Sequence, residues 1–418
     1  MLQSKLFCKT KKQAPKTAKA LSHKFLVRGD FIDQLASGIY SFLPLGWRVH
    51  KKIESIIREE MNKICGQEIF LPALQPQKIW EETKRWENID PPLFKLKDRH
   101  QRELVLGPTH EEVITDLARR RVKSYKDLPF SLYQIQNKFR NEMRATGGLL
   151  RTREFIMKDL YSFHSSEKDL SSYYEKVKKA YSNIFKRCGL KVVCVEADSG
   201  TIGGALSHEF MVLSDTGEDW IFTCSKCNYG ANIEKVGEIK ICPNCKGKIE
   251  KKRSIEAGHT FNLGTKYSKA MEASFVDEEG SSKSIIMGCY GIGLGRLMAT
   301  VVEVNNDSNG IIWPREIAPF TIHLIPIGLS GASGKIVLKE TKEIYKKLKE
   351  SKIEVLYDDR IDKTPGEKFA EADLIGIPYR VVVSEKTSAK NCVEVKERAK
   401  ERVKLVKINK VLDYLNLV

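Results

Sequence analysis

No apolar run in the 418 residues approaches the roughly 20 that cross a bilayer, so no helical membrane span is expected. The opening stretch MLQSKLFCKTKKQAPK lacks the apolar centre of a secretory signal, and a cytoplasmic location is expected. Its acid-free run holding Lys5, Lys9, Lys11 and Lys12 is also compatible with a basic organelle presequence. Cysteine is scarce. Ten in a chain of this length are too few for a disulfide scaffold, and four of them form two Cys-x-x-Cys pairs, which suits a reducing compartment and one metal site. Internal repeats and low-complexity tracts are missing as well.

Positive charge is in excess. Lysine and arginine number 71 against 54 acidic residues, a net charge of +17 spread along the whole chain. A polyanionic partner fits this balance, and so does a protein with a merely basic surface. The length exceeds what one hydrophobic core usually supports, so two or three domains are expected.

From Trp47 to Ile64 the residues Val49, Ile53, Ile56, Ile57 and Met61 recur at helical spacing, which predicts a long amphipathic helix ended by Gly66. EIFLPAL, beginning at Glu68, reads as a strand interrupted by Pro72. SLYQIQNKF from Ser131 alternates apolar and polar residues, and REFIMKDLYSF from Arg153 reads as its return strand. Two adjacent glycines lie between them in RATGGLL, so an antiparallel hairpin with a flexible tip is predicted. A helix follows at Leu170 to Lys186. The prolines of WPREIAP, Trp313 to Pro319, mark a domain boundary. Beyond it, TIHLIPI, IEVLY and YRVVV read as strands alternating with helices at Lys335 to Lys349 and Gly366 to Leu374, the pattern of a small α/β domain.

The hairpin carries Arg140 and Glu142 on one side and Arg151, Arg153 and Phe155 on the other. Arginine matches phosphate oxygens bidentately, a carboxylate reads an amine and a ring stacks on a purine, so the set suits a nucleotide. A charged hairpin is also what a solvated face looks like. GCYGIGLGRLMA, Gly288 to Ala299, superficially matches a dinucleotide fingerprint, but no βαβ unit surrounds it. Gly291, Gly293 and Gly295 instead let backbone lie against a ligand, with Arg296 just behind them. In VLGPTHEEV, Thr109 and Glu111 stand two residues apart, on one side of extended backbone, where they could hold an ammonium group. Thr109 as a helix N-cap followed by acids in the first turn explains the same residues.

Taken together, FRNEMRATGGLLRTREFIMKD (Phe139 to Asp159), GIGLGR and the long helix with Pro72 resemble the three motifs of class II aminoacyl-tRNA synthetases. GPTHEE, GCYGIG, MKDLYSFH and EAGHTFNLGTKYS are similar to the bacterial prolyl branch of that family. The resemblance implies an α/β chain. Residues 1–319 would form an α+β catalytic domain, an antiparallel sheet flanked by helices, with motif 1 near 38–74, motif 2 near 132–163 and motif 3 near 288–300. Residues 320–418 would form an α/β anticodon-binding domain.

The resemblance also implies ATP with Mg2+ as the activating pair and proline and its tRNA as the other substrates. Motif 1 would make a homodimer. Position by position it implies that Arg140 holds the α-phosphate and the proline carboxylate and that Glu142 contacts adenine. Phe155 and Arg296 would flank the ring, with Gly293 and Gly295 beside it, and Arg151 would join Arg296 near the terminal phosphates. Thr109, Glu111, Asp159 and His259 would form the proline pocket. DDRIDKTPGEKFAEADLIGIP resembles part of the anticodon-reading domain, with Arg360, Glu367 and Lys368 as contact candidates, although charged loops are often only solvated.

Between Asn232 and Ile255 there are too few residues for the editing domain many bacterial prolyl enzymes carry, so no editing in cis is expected. In its place, near 220–250, stand Cys224, Cys227, Cys242 and Cys245, two pairs with fourteen residues between them. Four thiolates at ribbon-like spacing favour a structural Zn2+, with four ordinary reduced cysteines as the competing reading.

Overall fold

The computed structural model describes residues 1–200, 202–204, 206–227 and 229–415, and the chain divides into two compact units. The larger comprises 34–40 and 53–300; the other draws together 1–33, 41–52 and 301–418.

The predicted amphipathic helix is α1 (Pro44–Lys63). Its stripe of Val49, Ile53, Ile56, Ile57 and Met61 is buried. The strand expected after it is cut short: β1 (Gln67–Glu68) makes only two pairings, parallel to Leu132 and Tyr133. Ile69 still donates its N–H to the Tyr133 carbonyl at 2.8 Å, but the Leu71 N–H turns to the Gln134 side chain at 3.0 Å. Pro72 has no N–H to give. Residues 74–76 pair instead with 104–106 in a separate three-stranded sheet.

The helix α2 (Glu111–Arg121) leads to the hairpin β2 (Phe130–Phe139) and β3 (Glu154–His164), antiparallel from Phe130↔Phe163 to Phe139↔Glu154. Gly147 and Gly148 at its tip take φ of 69° and 67°, a conformation glycine adopts without strain. Next comes α3 (Glu167–Arg187), capped by the Ser166 side chain. It lays Tyr174, Val177, Tyr181, Ile184 and Phe185 into the core, each worth roughly 1.5–3 kcal/mol of transfer free energy.

The sheet is completed by β4 (Val192–Glu196), β5 (Leu206–Leu213), β6 (Asp219–Cys224), β7 (Gly230–Asn232), β8 (Ile249–Gly264) and β9 (Ile286–Gly293). Their order is β5-β4-β7-β6-β8-β9-β3-β2-β1, with β5 also pairing β8. The ladder is antiparallel apart from β1–β2 and the β4–β7 contact. Helix α4 (Leu294–Val304) leaves the end of β9. Antiparallel pairing at the centre is what the class II resemblance implies, and it removes the parallel βαβ unit a dinucleotide site needs.

In the other unit, β10 (Ile322–Pro326), α5 (Gly331–Glu350), β11 (Val355–Tyr357), α6 (Pro365–Ile375) and β12 (Tyr379–Val383) follow the predicted alternation. A hairpin the sequence reading did not propose, β13 (Cys392–Glu397) and β14 (Val403–Lys407), extends the sheet in the order β11-β10-β12-β13-β14. Val337, Thr341, Ile344 and Leu348 form the buried stripe of α5. The start of the chain joins this unit: Met1 donates its ammonium to the Tyr345 hydroxyl at 2.7 Å and the Val355 carbonyl at 2.8 Å.

Candidate active site and cysteine cluster

Side chains alternate across a strand, so Phe155, Met157 and Asp159 of β3 face one way and Lys158 faces α3. The first three line a cavity of about 310 Å³ with Gly291 and Gly293 of β9 and His259 of β8. Register makes them neighbours, since Asp159 pairs with Gly291 and Gly291 with His259. A Cβ added at Gly293 would meet nothing nearer than the Arg296 Cβ at 3.7 Å, so packing does not demand glycine there. Its absent side chain leaves the floor open to a ligand. Gly295 lies in the first turn of α4 and is not among the residues facing the cavity.

One end holds most of the expected nucleotide residues. The Arg140 guanidinium sits 5.1 Å from the Phe155 ring centre. Burial and the nearby Arg296 lower its pKa from the ordinary arginine value. The Glu142 carboxylate accepts from Arg151 Nε at 2.9 Å. Arg296 donates to the Leu150 carbonyl at 3.0 Å and pairs with Glu256 at 2.6 Å. Burial opposes ionisation of Glu256, but the His259 hydrogen bond and Arg296 outweigh it and hold the carboxyl well below its usual range.

The other end is built on the start of α2. His110, not Thr109, is the N-cap residue. Thr109 Oγ1 donates instead to Glu111 Oε2 at 2.6 Å, so the two stand side by side, as an ammonium pair requires. Cys289 donates its thiol to the other Glu111 oxygen at 3.2 Å. Arg85 donates Nη1 to Glu112 at 2.8 Å and Glu111 at 3.3 Å, between the rings of Trp80 and Tyr267 at 5.1 and 5.5 Å. Burial alone would lower the Arg85 pKa; Glu112, Tyr267 and Glu111 raise it instead. Burial raises the Glu112 pKa against the pull of Arg85, and the neighbouring Glu111 adds to the rise, so Arg85 and Glu111 stand as a buried ion pair at this end. Deeper, Asp159 pairs with Lys138 at 2.8 Å and accepts from Gln134 at 2.9 Å. Burial raises its pKa, but Lys138 and His110 bring it below the usual carboxylate range.

His259 is held by the Ser207 hydroxyl at 2.6 Å and by Glu256 at 3.1 Å, stacked on Phe261. Arg85, Glu256 and Glu209, which sits 3.6 Å from His259, were not foreseen. Arg85 meets its partners 26 and 27 residues later in the chain, and no local pattern announces that.

Cys224, Cys227, Cys242 and Cys245 converge with every Sγ within 4.8 Å of the others. The Lys226 N–H donates to Cys224 Sγ at 3.3 Å, and the Cys242 N–H to the Gly247 carbonyl at 2.9 Å, turns of the kind that present paired thiols. Asn228, at the expected first turn, lies outside the described residues. The contact candidates of the other unit are differently placed. Arg360 is clamped by Asp358 and Glu371, and Glu367 forms a capping box with Thr364 at the start of α6. Lys368, a contact candidate within the predicted helix, is instead 1% exposed, with Nζ bonded to the Pro326 and Asp358 carbonyls. The expectation is corrected there by the helix period, which puts Lys368 on the same buried face as Ala372 and Ile375.

Residues 94–305 match the class II tRNA synthetase core domain (G, H, P, S and T), and residues 321–416 match an anticodon binding domain. Among curated relatives, a proline–tRNA ligase of Dehalococcoides mccartyi is 37% identical over an alignment covering 99% of this chain and 98% of that one. The chain belongs to the proline–tRNA ligase family. A further proline–tRNA ligase, from Citrifermentans bemidjiense, is 38% identical over 98% of this chain and 97% of its own. The prolyl-tRNA synthetase of Giardia lamblia in complex with prolyl-adenylate superposes with a TM-score of 0.79 at 23% identity, covering 93% of this chain and 74% of that one. That of Cryptosporidium parvum, complexed with halofuginone and AMPPNP, gives 0.78 at 20%, covering 94% and 76%. Both likenesses concern the fold. Membership makes the chain an ATP-dependent aminoacyl-tRNA synthetase whose substrates are proline and its tRNA. No described helix is long and apolar enough to cross a membrane.

Proposed function

We propose that the cavity activates proline with ATP between its two ends. The observation that carries this is one cavity with the Thr109–Glu111 pair at one end and Arg140 with the open glycine floor at the other. Glu111 and Thr109 hold the imino group of proline, Asp159 and His259 shape its pocket, and Arg140 bridges the carboxylate and the α-phosphate. Glu142 reads the adenine amine, Phe155 and Arg296 flank the ring over Gly293, and Arg151 lies with Arg296 by the terminal phosphates. Mg2+ accompanies the phosphates. Catalysis is positioning and charge neutralisation, with no protein nucleophile. Pyrophosphate exchange stimulated by proline but not by threonine or glycine tests the assignment; equal stimulation by threonine overturns it.

Catalysis on this reading occupies residues 1–319 and anticodon reading 320–418, with Arg360 and Glu367 as surface candidates there. The four thiols hold a structural Zn2+: Sγ separations of 3.4 Å (Cys224–Cys245) and 3.6 Å (Cys227–Cys242) suit a tetrahedral site, and four cysteines leave no position open for water. Far less than one zinc per chain in protein purified without chelator refutes the site. The absence of cis editing is supported by the alignments, which run over 561 positions against a chain of 418 residues, so relatives carry segments this chain lacks. Rapid deacylation of alanyl-tRNA for proline by the pure protein overturns it. Motif 1 would make a homodimer, and ten free cysteines suit the cytoplasm.

A further inference from the structure

At the base of the cysteine cluster an aromatic ring and two cations share one exposed face. Trp220 of β6 pairs with Arg253 of β8, and Phe222, two residues on, with Lys251. Period-two alternation therefore puts the Trp220, Arg253 and Lys251 side chains on one side of the sheet. The Arg253 guanidinium lies 5.1 Å and the Lys251 ammonium 5.3 Å from the Trp220 ring. The indole is 40% exposed. Lys251 also reaches Glu238 at 3.4 Å, and Arg253 donates one N–H to the Asp215 carbonyl at 3.3 Å, which leaves donors of both free. Residues 219–253 hold eight Lys or Arg against four Asp or Glu; four thiolates on one Zn2+ would subtract two charges and leave the balance positive.

This face adjoins the cavity. Glu218, two residues before Trp220, accepts from Thr146 at 3.1 Å and from Arg151 at 3.3 Å, and Arg151 lines the cavity. Two strand residues span about 7 Å. In the family reaction the 3′ end of tRNA must reach that cavity, and this face stands beside one of its edges.

We propose that Trp220, Lys251 and Arg253 form a docking platform for the acceptor end of tRNA, with an unpaired base on the indole and neighbouring phosphates on the two cations. The inference rests on the family reading. Stacking on an exposed ring accepts any base, and flanking cations track the backbone, so the platform aids binding without reading sequence.

The test uses the full chain. Trp220→Ala and the double variant Lys251→Glu, Arg253→Glu are assayed for proline-dependent pyrophosphate exchange, which needs no tRNA, and for aminoacylation across tRNA and salt concentrations. Exchange is expected within twofold of the parent, with KM for tRNA raised about tenfold in each variant. The slope of log affinity against log salt should fall by roughly two in the double variant, and Trp220→Phe should retain most of the parent's tRNA affinity. Nuclease protection of the tRNA acceptor end should weaken with it. Unchanged KM, slope and protection with exchange intact overturn the platform, as does altered protection confined to the anticodon arm. If Trp220→Ala loses exchange through misfolding, the surface pair decides alone. A parent without proline-dependent exchange refutes the family reading instead.

Discussion

At the end of the cavity proposed for proline, Arg85 and Glu111 expose 6% and 0% of their side chains and pair with each other. At the nucleotide end, Arg151 is 45% exposed and Arg296 33%, and their partners sit on the hairpin tip and a neighbouring strand. A buried cation and carboxylate pair cannot relax into water, so it is preorganised for a small ligand of fixed charge. A rim arginine can exchange a carboxylate for a phosphate at little cost, because solvent screens both states. On the proposed reading, the end assigned to proline is thus stiff, and the end assigned to the nucleotide is adjustable.

Removing the residue assigned to both ends should do most. Arg140→Ala is expected to lower proline-dependent exchange by about 10³-fold, roughly 4 kcal/mol of transition-state stabilisation, with thermal stability nearly unchanged. A loss of tenfold or less would show that the two ends work independently.

Arg85→Met strikes the stiff end alone. It leaves Glu111 and Glu112 buried with no cation, and loss of one partner of such a set costs about 3–5 kcal/mol. Unfolding in urea should show the cost, and KM for proline should rise more than KM for ATP. Equal rises would mean that the set supports the whole cavity rather than one end.

Behind the sheet, burial lowers the Lys158 ammonium to about 7, where it donates to the Tyr181 hydroxyl at 2.5 Å and the Tyr290 carbonyl at 3.1 Å. The unfolded chain binds this proton up to the ordinary lysine value of 10.5, so between about pH 7 and 10.5 the unfolded state holds more protons and stability rises with pH. Lys158→Met should abolish that rise and add about 2 kcal/mol at pH 7, read from melting curves of parent and variant across the window. Parallel curves would sink the idea.

The adjustable end should respond least. Arg151→Ala is expected to raise KM for ATP about fivefold, roughly 1 kcal/mol, with an effect that shrinks at high salt. A loss as large as that of Arg140→Ala would erase the difference between the ends.

Several parts of this were legible because their signals are local. Alternation in SLYQIQNKF and REFIMKDLYSF marks β2 and β3 within a residue or so of their ends, and two Cys-x-x-Cys pairs announce a cluster. β1 was overread, since an apolar run shows that a segment is buried but not whether a neighbouring strand is free to pair with all of it. The charge of Lys368 does not announce its burial, which follows from its place on the inner face of α6 with Ala372 and Ile375.

By itself the amino-acid order determined the elements, the residue types at the site and their sequence along the chain, because backbone propensity and side-chain period act over a few residues. Tertiary structure alone decided which charges meet. Arg85 with Glu111, Arg296 with Glu256 and Trp220 between Lys251 and Arg253 are neighbours only through sheet register and burial, and a charge's energy depends on what surrounds it rather than on what precedes it in the chain.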